Sequence, residues 1–186
     1  MQGREEGDSR VKIVLPDGSQ TSDNNQLSSW LGRSVALSKA DSASVGTYET
    51  TLTEDESGDW VQWSGPEGSF HDSTRTKVSL ACVSTFRQWD RRRFRMNVLL
   101  DGEGGGENDL VGKTITLGSA RLEVLKQVDR CVVVTRPQPS KAGQVPIERD
   151  LSVLKTINRE LDGNLGVGSV VTTPGVVSVG DEVQAD

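Results

Sequence analysis

The sequence predicts a β-dominated α+β fold, a barrel-like arrangement of mixed strands, closed or nearly so, with a few packed helices. Two observations carry this. Short β-branched apolar runs recur from Val11 to Val183, each bounded by Gly, Pro or polar residues. Only Glu148–Leu161 sustains a strong helical period, with Leu151, Leu154, Ile157 and Leu161 on one face. A chain of 186 residues without an internal repeat suits one domain, or one domain with a short appended piece.

The elements follow in order. Residues 1–10 are acidic and polar and read as a frayed, disordered tail. Val11–Leu15 reads as a strand, and Pro16-Asp17-Gly18 as a turn. Asn24–Leu31 reads as a short helix closed by Gly32, and Ser34–Leu37 as a further short strand. Strand-like runs follow at Gly46–Leu52 and Asp59–Trp63; Trp60 and Trp63 are expected to cover one edge of the core. Ser64–Gly68 is a loop. Val78–Cys82 reads as a strand and Ser84–Trp89 as a short helix capped by Ser84.

The basic run Asp90–Arg95 leads into a predicted strand, Met96–Leu100. A basic run is usually a solvated face, but entry into an apolar strand should bring at least one arginine near a buried end. Residues 101–108 hold four glycines and read as a mobile loop. Gly112–Leu117 and Arg121–Gln127 are strands joined through Gly118; Pro137–Gly143 is a loop; short Gly-punctuated strands fill Gly166–Val183.

Composition narrows the function. The net charge of −6 speaks against a general nucleic-acid surface. Two cysteines and one histidine exclude a zinc finger, a disulfide scaffold and a four-cysteine iron–sulfur cluster. No stretch approaches the ~18 apolar residues of a membrane span, and no secretory h-region is visible in residues 1–10. A soluble cytoplasmic protein with no nucleic-acid or membrane partner is expected.

Several motifs fail on inspection. Gly106 to Thr114 nearly spells a phosphate loop, but five residues rather than four precede the Gly-Lys pair, and Glu107 stands at the required glycine. Gly102-Glu-Gly104 and Gly166-Val-Gly168 lack the third glycine of a dinucleotide fingerprint. His71 is expected to be a loop hydrogen-bonder rather than a catalytic base.

Cys131 is the candidate centre. It follows a polar elbow, Lys126 to Arg130, and opens a β-branched run, Val132 to Thr135, that reads as a buried strand. Arg130 sets a cation before the thiol, and the thiolate is the form that attacks or binds metal. The residues alone leave two readings open, a reactive thiol and a small core-filling hydrophobe.

This Arg-Cys segment resembles the cysteine segment of the MOSC domain, the C-terminal domain of molybdenum-cofactor sulfurases. Ser69-Phe70-His71-Asp72, Arg93 to Val98, Gly118-Ser119-Ala120, Pro174-Gly175 and Val179-Gly180-Asp181 resemble the family's other landmarks, in family order. The resemblance implies a β-barrel domain over residues 69–186, with residues 11–68 as a remnant of the β-barrel-like N-terminal region. It also implies a molybdenum cofactor (molybdopterin) ligated by Cys131, with Arg95, Asn97, Ser84, Asp72 and Arg130 as cofactor-binding positions. The pair Arg95 and Asn97 is expected on one side of a strand.

Departures accompany the likeness. The family's early lysine segment has no counterpart upstream of Val11, Met96 stands where proline is frequent, and Asp129 adds a negative charge beside the thiol. No pyridoxal-phosphate desulfurase domain is attached, and the family's link to pyridoxal phosphate finds no Schiff-base lysine here. Three functions are therefore expected to compete. The first is a small molybdenum oxidoreductase served by a separate redox donor. The second is a sulfur carrier in which a cysteine desulfurase loads Cys131 as a persulfide. The third is a non-catalytic binding remnant.

Overall fold

The computed structural model describes residues 11–51, 53, 55–138 and 145–186. The chain forms two compact units, Met1–Ala40 with Pro137–Glu148, and Asp41–Arg136 with Arg149–Asp186. The predicted tail at residues 1–10 and most of the predicted loop at 137–143 lie outside the described residues.

In the first unit, β1 (Ile13–Val14) and β2 (Gln20–Thr21) pair antiparallel. Between them the Asp17 carboxylate accepts from the Ser19 N–H and hydroxyl, and Gly18 takes a φ of 86°. The helix α1 (Asn24–Leu31) starts on Asp23, whose side chain accepts from the Gln26 N–H, and ends on left-handed Gly32. Ser34–Leu37 is not a strand. Helix side chains take its backbone donors: Val35 N–H donates to Ser28 Oγ and Leu37 N–H to Asn24 Oδ1, so no ladder forms.

The second unit begins with an antiparallel hairpin, β3 (Thr47–Thr51) and β4 (Trp60–Ser64). Trp60 and Trp63 do not cover the core. Both are exposed, and Trp63 stacks on the cross-strand Tyr48 at 5.8 Å while its Nε1 donates to the Asp72 carbonyl.

The main sheet has six strands: β5 (Val78–Cys82), β6 (Val98–Leu100), β7 (Thr114–Leu117), β8 (Ala120–Asp129), β9 (Asn164–Thr173) and β10 (Val183–Ala185). Their order is β10-β7-β8-β9-β5-β6, antiparallel throughout except for the parallel β5–β6 pair. The fold is thus β-dominated α+β, as the sequence predicts. The sheet curls into a half-barrel with β10 and β6 at its edges and does not close.

Alternation along β5 divides the core. Leu80 joins Ile115, Leu117, Leu122, Val124 and Val167 on one face. Ala81 joins Phe86, Phe94, Val134, Val153, Leu154, Ile157 and Leu165 on the other, which α2 (Ser152–Glu160) covers. Leu165 and Val167 would share a face in a regular strand, yet they enter opposite cores. Gly166 between them has a φ of 77°, and a Cβ there would meet Met96 Cε at 2.6 Å and the Leu80 carbonyl at 2.8 Å. Only glycine permits both the conformation and the approach.

The strand predicted at Arg121–Gln127 holds and grows to β8, while that predicted at Gly112–Leu117 holds only from Thr114. The helix predicted at Glu148–Leu161 begins later, at Ser152. The Asp150 carboxylate caps that residue's N–H, while the Asp150 N–H donates to the Thr135 carbonyl. Val153 joins Leu154 and Ile157 in the core.

Ser84–Trp89 is a 3-10 turn, Val83–Phe86, without a side-chain cap; the Ser84 hydroxyl donates instead to the Gly102 carbonyl. The strand predicted at Met96 starts at Val98, because Arg95 holds a left-handed φ of 52°. The Gly-rich segment also contains a 3-10 turn, Gly106–Leu110.

Cys131–Thr135 is not a strand. After β8 the chain turns, and Val132–Thr135 forms a 3-10 turn with Val132, Val134 and Thr135 buried. Burial at adjacent positions suits a turn packed on several sides rather than a strand with alternating faces.

Leu154 is 5% exposed and lies at the centre of the α2 contact. Its replacement by alanine should destabilise the domain by about 2–5 kcal/mol in urea titration. A loss under about 1 kcal/mol would be incompatible with this packing.

Candidate functional site

Two arginines hold the elbow that carries Cys131. Asp90 caps the 3-10 turn Arg91–Phe94 by accepting from the Arg92 N–H. This aims Arg93 inward, where it is 7% exposed and donates to the Val134 and Arg136 carbonyls. Arg130 reaches the other way. Its Nε and Nη2 donate to the Leu165 carbonyl at 3.0 and 2.6 Å, its Nη1 to the Phe94 carbonyl at 3.3 Å, and its guanidinium stacks on the Phe94 ring at 5.6 Å.

Arg93, on the first turn, therefore reaches the second, and Arg130, just ahead of the second, reaches back to the first and to β9. A planar fork with five donors can satisfy several carbonyls at once, and a lysine cannot. Burial pushes Arg130 down to about 10, partly offset by the charges of Cys131 and Asp129. It remains a cation at neutral pH and is held by carbonyl, sulfur and ring partners.

The two cysteines occupy opposite environments. Cys131 is exposed. Cys82 is 4% exposed, and its thiol is pushed up to about 11, chiefly by burial and then by the neighbouring Glu107 carboxyl. Asp129, next to the elbow, pairs with Lys126 at 2.8 Å on the surface.

The predicted site residues separate into three places. Arg95 is the left-handed residue that ends the Arg91–Phe94 turn, between Phe94 and Met96, both of which Arg130 grips, so the Arg95 and Cys131 segments are stitched together. Arg95 is exposed and outside the strand. Asn97 fastens β5 through its Oδ1, which accepts from the Ser79 N–H and hydroxyl at 2.9 Å. Arg95 and Asn97 therefore do not alternate along a strand.

Ser84 lies at a cleft described below, its hydroxyl engaged by Gly102. Asp72 is on the surface beside His71, whose Nδ1 accepts from the Ser73 N–H. Arg130 is engaged inside the fold. Among the described residues, no three His, Cys, Asp or Glu side chains cluster as a metal site, and no helix is long and apolar enough to cross a membrane.

The cleft has a volume of about 310 Å³ and is bordered by Thr85, Arg87, Glu107, Asn108, Asp162 and Asn164, among others. Glu107 is 1% exposed. Its Oε2 accepts from the Thr85 hydroxyl at 2.9 Å, and its Oε1 is buried without a hydrogen-bond partner. In the sequence Glu107 signals only a failed phosphate loop, because burial of an acid flanked by glycines leaves no local pattern. Arg93 is equally silent, as one arginine among four.

The donor set of the stitched unit suits a soft metal with an anionic substituent. Cys131 offers an accessible sulfur, and Arg95, on the stitched neighbouring segment, is an exposed cation without an ion-pair partner among the described residues. Asn97 keeps its amide N–H donors; Arg130 and Ser84 are already engaged.

The sequence model of the MOSC domain matches residues 68–184, more than half of the chain. No curated protein matches the chain.

Two measurements test the geometry. Arg130→Lys keeps the charge but cannot reproduce the fork across Leu165 and Phe94, and should lower stability by roughly 1–3 kcal/mol; an unchanged urea midpoint would contradict the stitch. The Cys82 thiol has an ordinary value of 9.0 and is raised to about 11 in the fold. Between those pH values the unfolded chain releases this proton and the folded chain keeps it. Stability should therefore fall as pH rises from 9.0 to about 11, and Cys82→Ala should lose that part of the decline.

Proposed function

The chain belongs to the MOSC domain family, and on that premise we propose that it binds a molybdenum cofactor through Cys131 and acts as a small oxidoreductase component. MOSC domains are related to molybdenum-cofactor sulfurases, and the family as a whole is associated with that cofactor. One observation carries the finer proposal: of two thiols, the buried one is Cys82, and the exposed one is the Arg-Cys cysteine, held on an arginine-stitched elbow.

When bound, the cofactor supplies a redox-active molybdenum centre. Cys131 offers its thiolate to the metal, because soft centres select sulfur. Arg95 presents a guanidinium suited to a phosphate or similar anion. Asn97 turns its amide donors outward while its oxygen fastens β5. Arg130 acts on the elbow only: it fixes the segment from which Cys131 projects and takes no contact with the ligand. A separate redox donor would supply the electrons.

The exposure of Cys131 also supports a second function, that of a sulfur carrier. There Cys131 attacks the outer sulfur of a desulfurase persulfide, becomes a persulfide itself and releases the donor's thiol. A non-catalytic binding remnant would show neither load.

The deciding experiment is elemental and mass analysis of protein purified from a host that makes the cofactor. Molybdenum near one atom per chain is expected in the native protein. Cys131→Ala and Cys131→Ser should fold with unchanged thermal midpoints and lose it, and Arg95→Lys should retain only part of it. A persulfide on Cys131 without molybdenum would shift the assignment to sulfur transfer. Native protein with neither load would overturn both.

A further inference from the structure

The cleft beside β9 is bordered by a buried carboxyl whose Oε1 has no hydrogen-bond partner among the described residues. Glu107 enters it from the 3-10 turn Gly106–Leu110. Thr85 fixes one carboxyl oxygen: its hydroxyl donates to Glu107 Oε2 at 2.9 Å and accepts from the Gly105 N–H at 2.8 Å. The one proton of that hydroxyl is therefore used. Oε1 is left buried with no partner, in a residue 1% exposed. Buried carboxyl oxygens are ordinarily hydrogen-bonded, and one that is not marks a missing donor.

The neighbours say what kind of donor fits. No arginine or lysine among the described residues pairs with Glu107. The Cys82 thiol bonds to the Glu107 carboxyl, but a thiol is only a weak donor. Arg87 borders the same cleft, and its guanidinium is engaged by Glu160 at 2.5 Å, a carboxylate that Arg159 also pairs with at 2.7 Å. Asp162, also on the border, has no cationic partner among the described residues. Of the ionisable groups on the cleft border, those without an ion-pair partner among the described residues are the acids Glu107 and Asp162. The remaining border groups, Asn108, Gln127 and Asn164, are neutral amides that can accept N–H donors. A volume of about 310 Å³ admits a small organic molecule.

We propose that this cleft is a binding site for a small organic cation, with a guanidinium or primary ammonium group donating to Glu107 Oε1 and Asp162 complementing its charge at the rim. Cys131 and Arg95 do not border the cleft; of the positions that the family resemblance links to the cofactor, Ser84 does, with its hydroxyl held by Gly102. An anionic group would meet two acidic side chains here, so the cleft and the exposed Arg95 favour ligands of opposite charge.

Agmatine, which carries both cationic groups, is the probe, titrated into the full-length chain and followed by amide chemical shifts and thermal midpoint. Dose-dependent shifts at Gly105, Glu107 and Asn108 and a rising midpoint are expected. N-butylurea, a neutral N–H donor of similar size, should bind at least tenfold more weakly. Glu107→Gln should abolish the response. Because a buried substitution can unfold the domain, Asp162→Asn is the second variant; it lies on an exposed, left-handed position that asparagine adopts readily and should weaken agmatine several-fold. The proposal is overturned by no response at millimolar agmatine, by an equal response to N-butylurea, by binding unchanged in Asp162→Asn, or by a response to magnesium alone. An ordered water on Oε1 that agmatine does not displace would also overturn it.

Discussion

The reciprocal arginine stitch is the constraint on which the candidate site depends. Two 3-10 turns, Arg91–Phe94 and Val132–Thr135, cannot complete regular backbone ladders. Their buried carbonyls need donors from elsewhere. Arg93 supplies them to Val134 and Arg136, and Arg130 to Phe94 and Leu165. The consequence is geometric. Cys131 and Arg95 sit immediately next to residues of this lattice, so an exposed thiol and an exposed cation are carried on rigid supports without being buried themselves. A site for an external ligand needs that combination of fixed backbone and free side chains.

The same lattice ties the site to the core. Phe94 packs with Phe86, Val134, Leu154 and Ile157, so the ring under Arg130 belongs to the cluster that seats α2. The Leu165 carbonyl that accepts from Arg130 stands one residue before Gly166, the left-handed position that lets β9 feed both cores. Loss of α2 packing would loosen the floor of the elbow, and a side chain at Gly166 would displace the Leu165 carbonyl from the arginine.

Much of this was legible in the sequence where local pattern and tertiary environment agree. Leu154 and Ile157 announce α2 by their spacing, Asp23 and Gly32 bracket α1, and the β-branched run at Arg121–Gln127 announces β8. The failures share a cause. Val132–Thr135 has strand composition, but Arg93 caps its carbonyls and makes a turn affordable. Ser34–Leu37 has strand composition, but Ser28 and Asn24 take its donors. Ser84 looks like a helix cap and bonds Gly102 instead. In each case a side chain distant in sequence decided where backbone hydrogen bonds went, and no window of a few residues contains that information. Of the site, the Arg-Cys pair and the basic run were legible as residue types. That Arg130 faces inward and Arg95 outward was not, because adjacent arginines carry no mark of direction.

Environment also explains why two cysteines of one small domain diverge. Cys82 ends β5 between the core and the Glu107 carboxyl, and both neighbours disfavour its thiolate. A negative charge there would have no counter-ion and little water. Cys131 stands in solvent one residue after a guanidinium that the fold holds in place. The buried acid and the inert thiol therefore belong together on one side of β5, and the accessible thiol and the free arginine on the stitched turns. The fold keeps the buried acid apart from the exposed thiol, and it does so with three residues, Arg93, Arg130 and Glu107, whose importance lies in what they touch rather than in the motif that contains them.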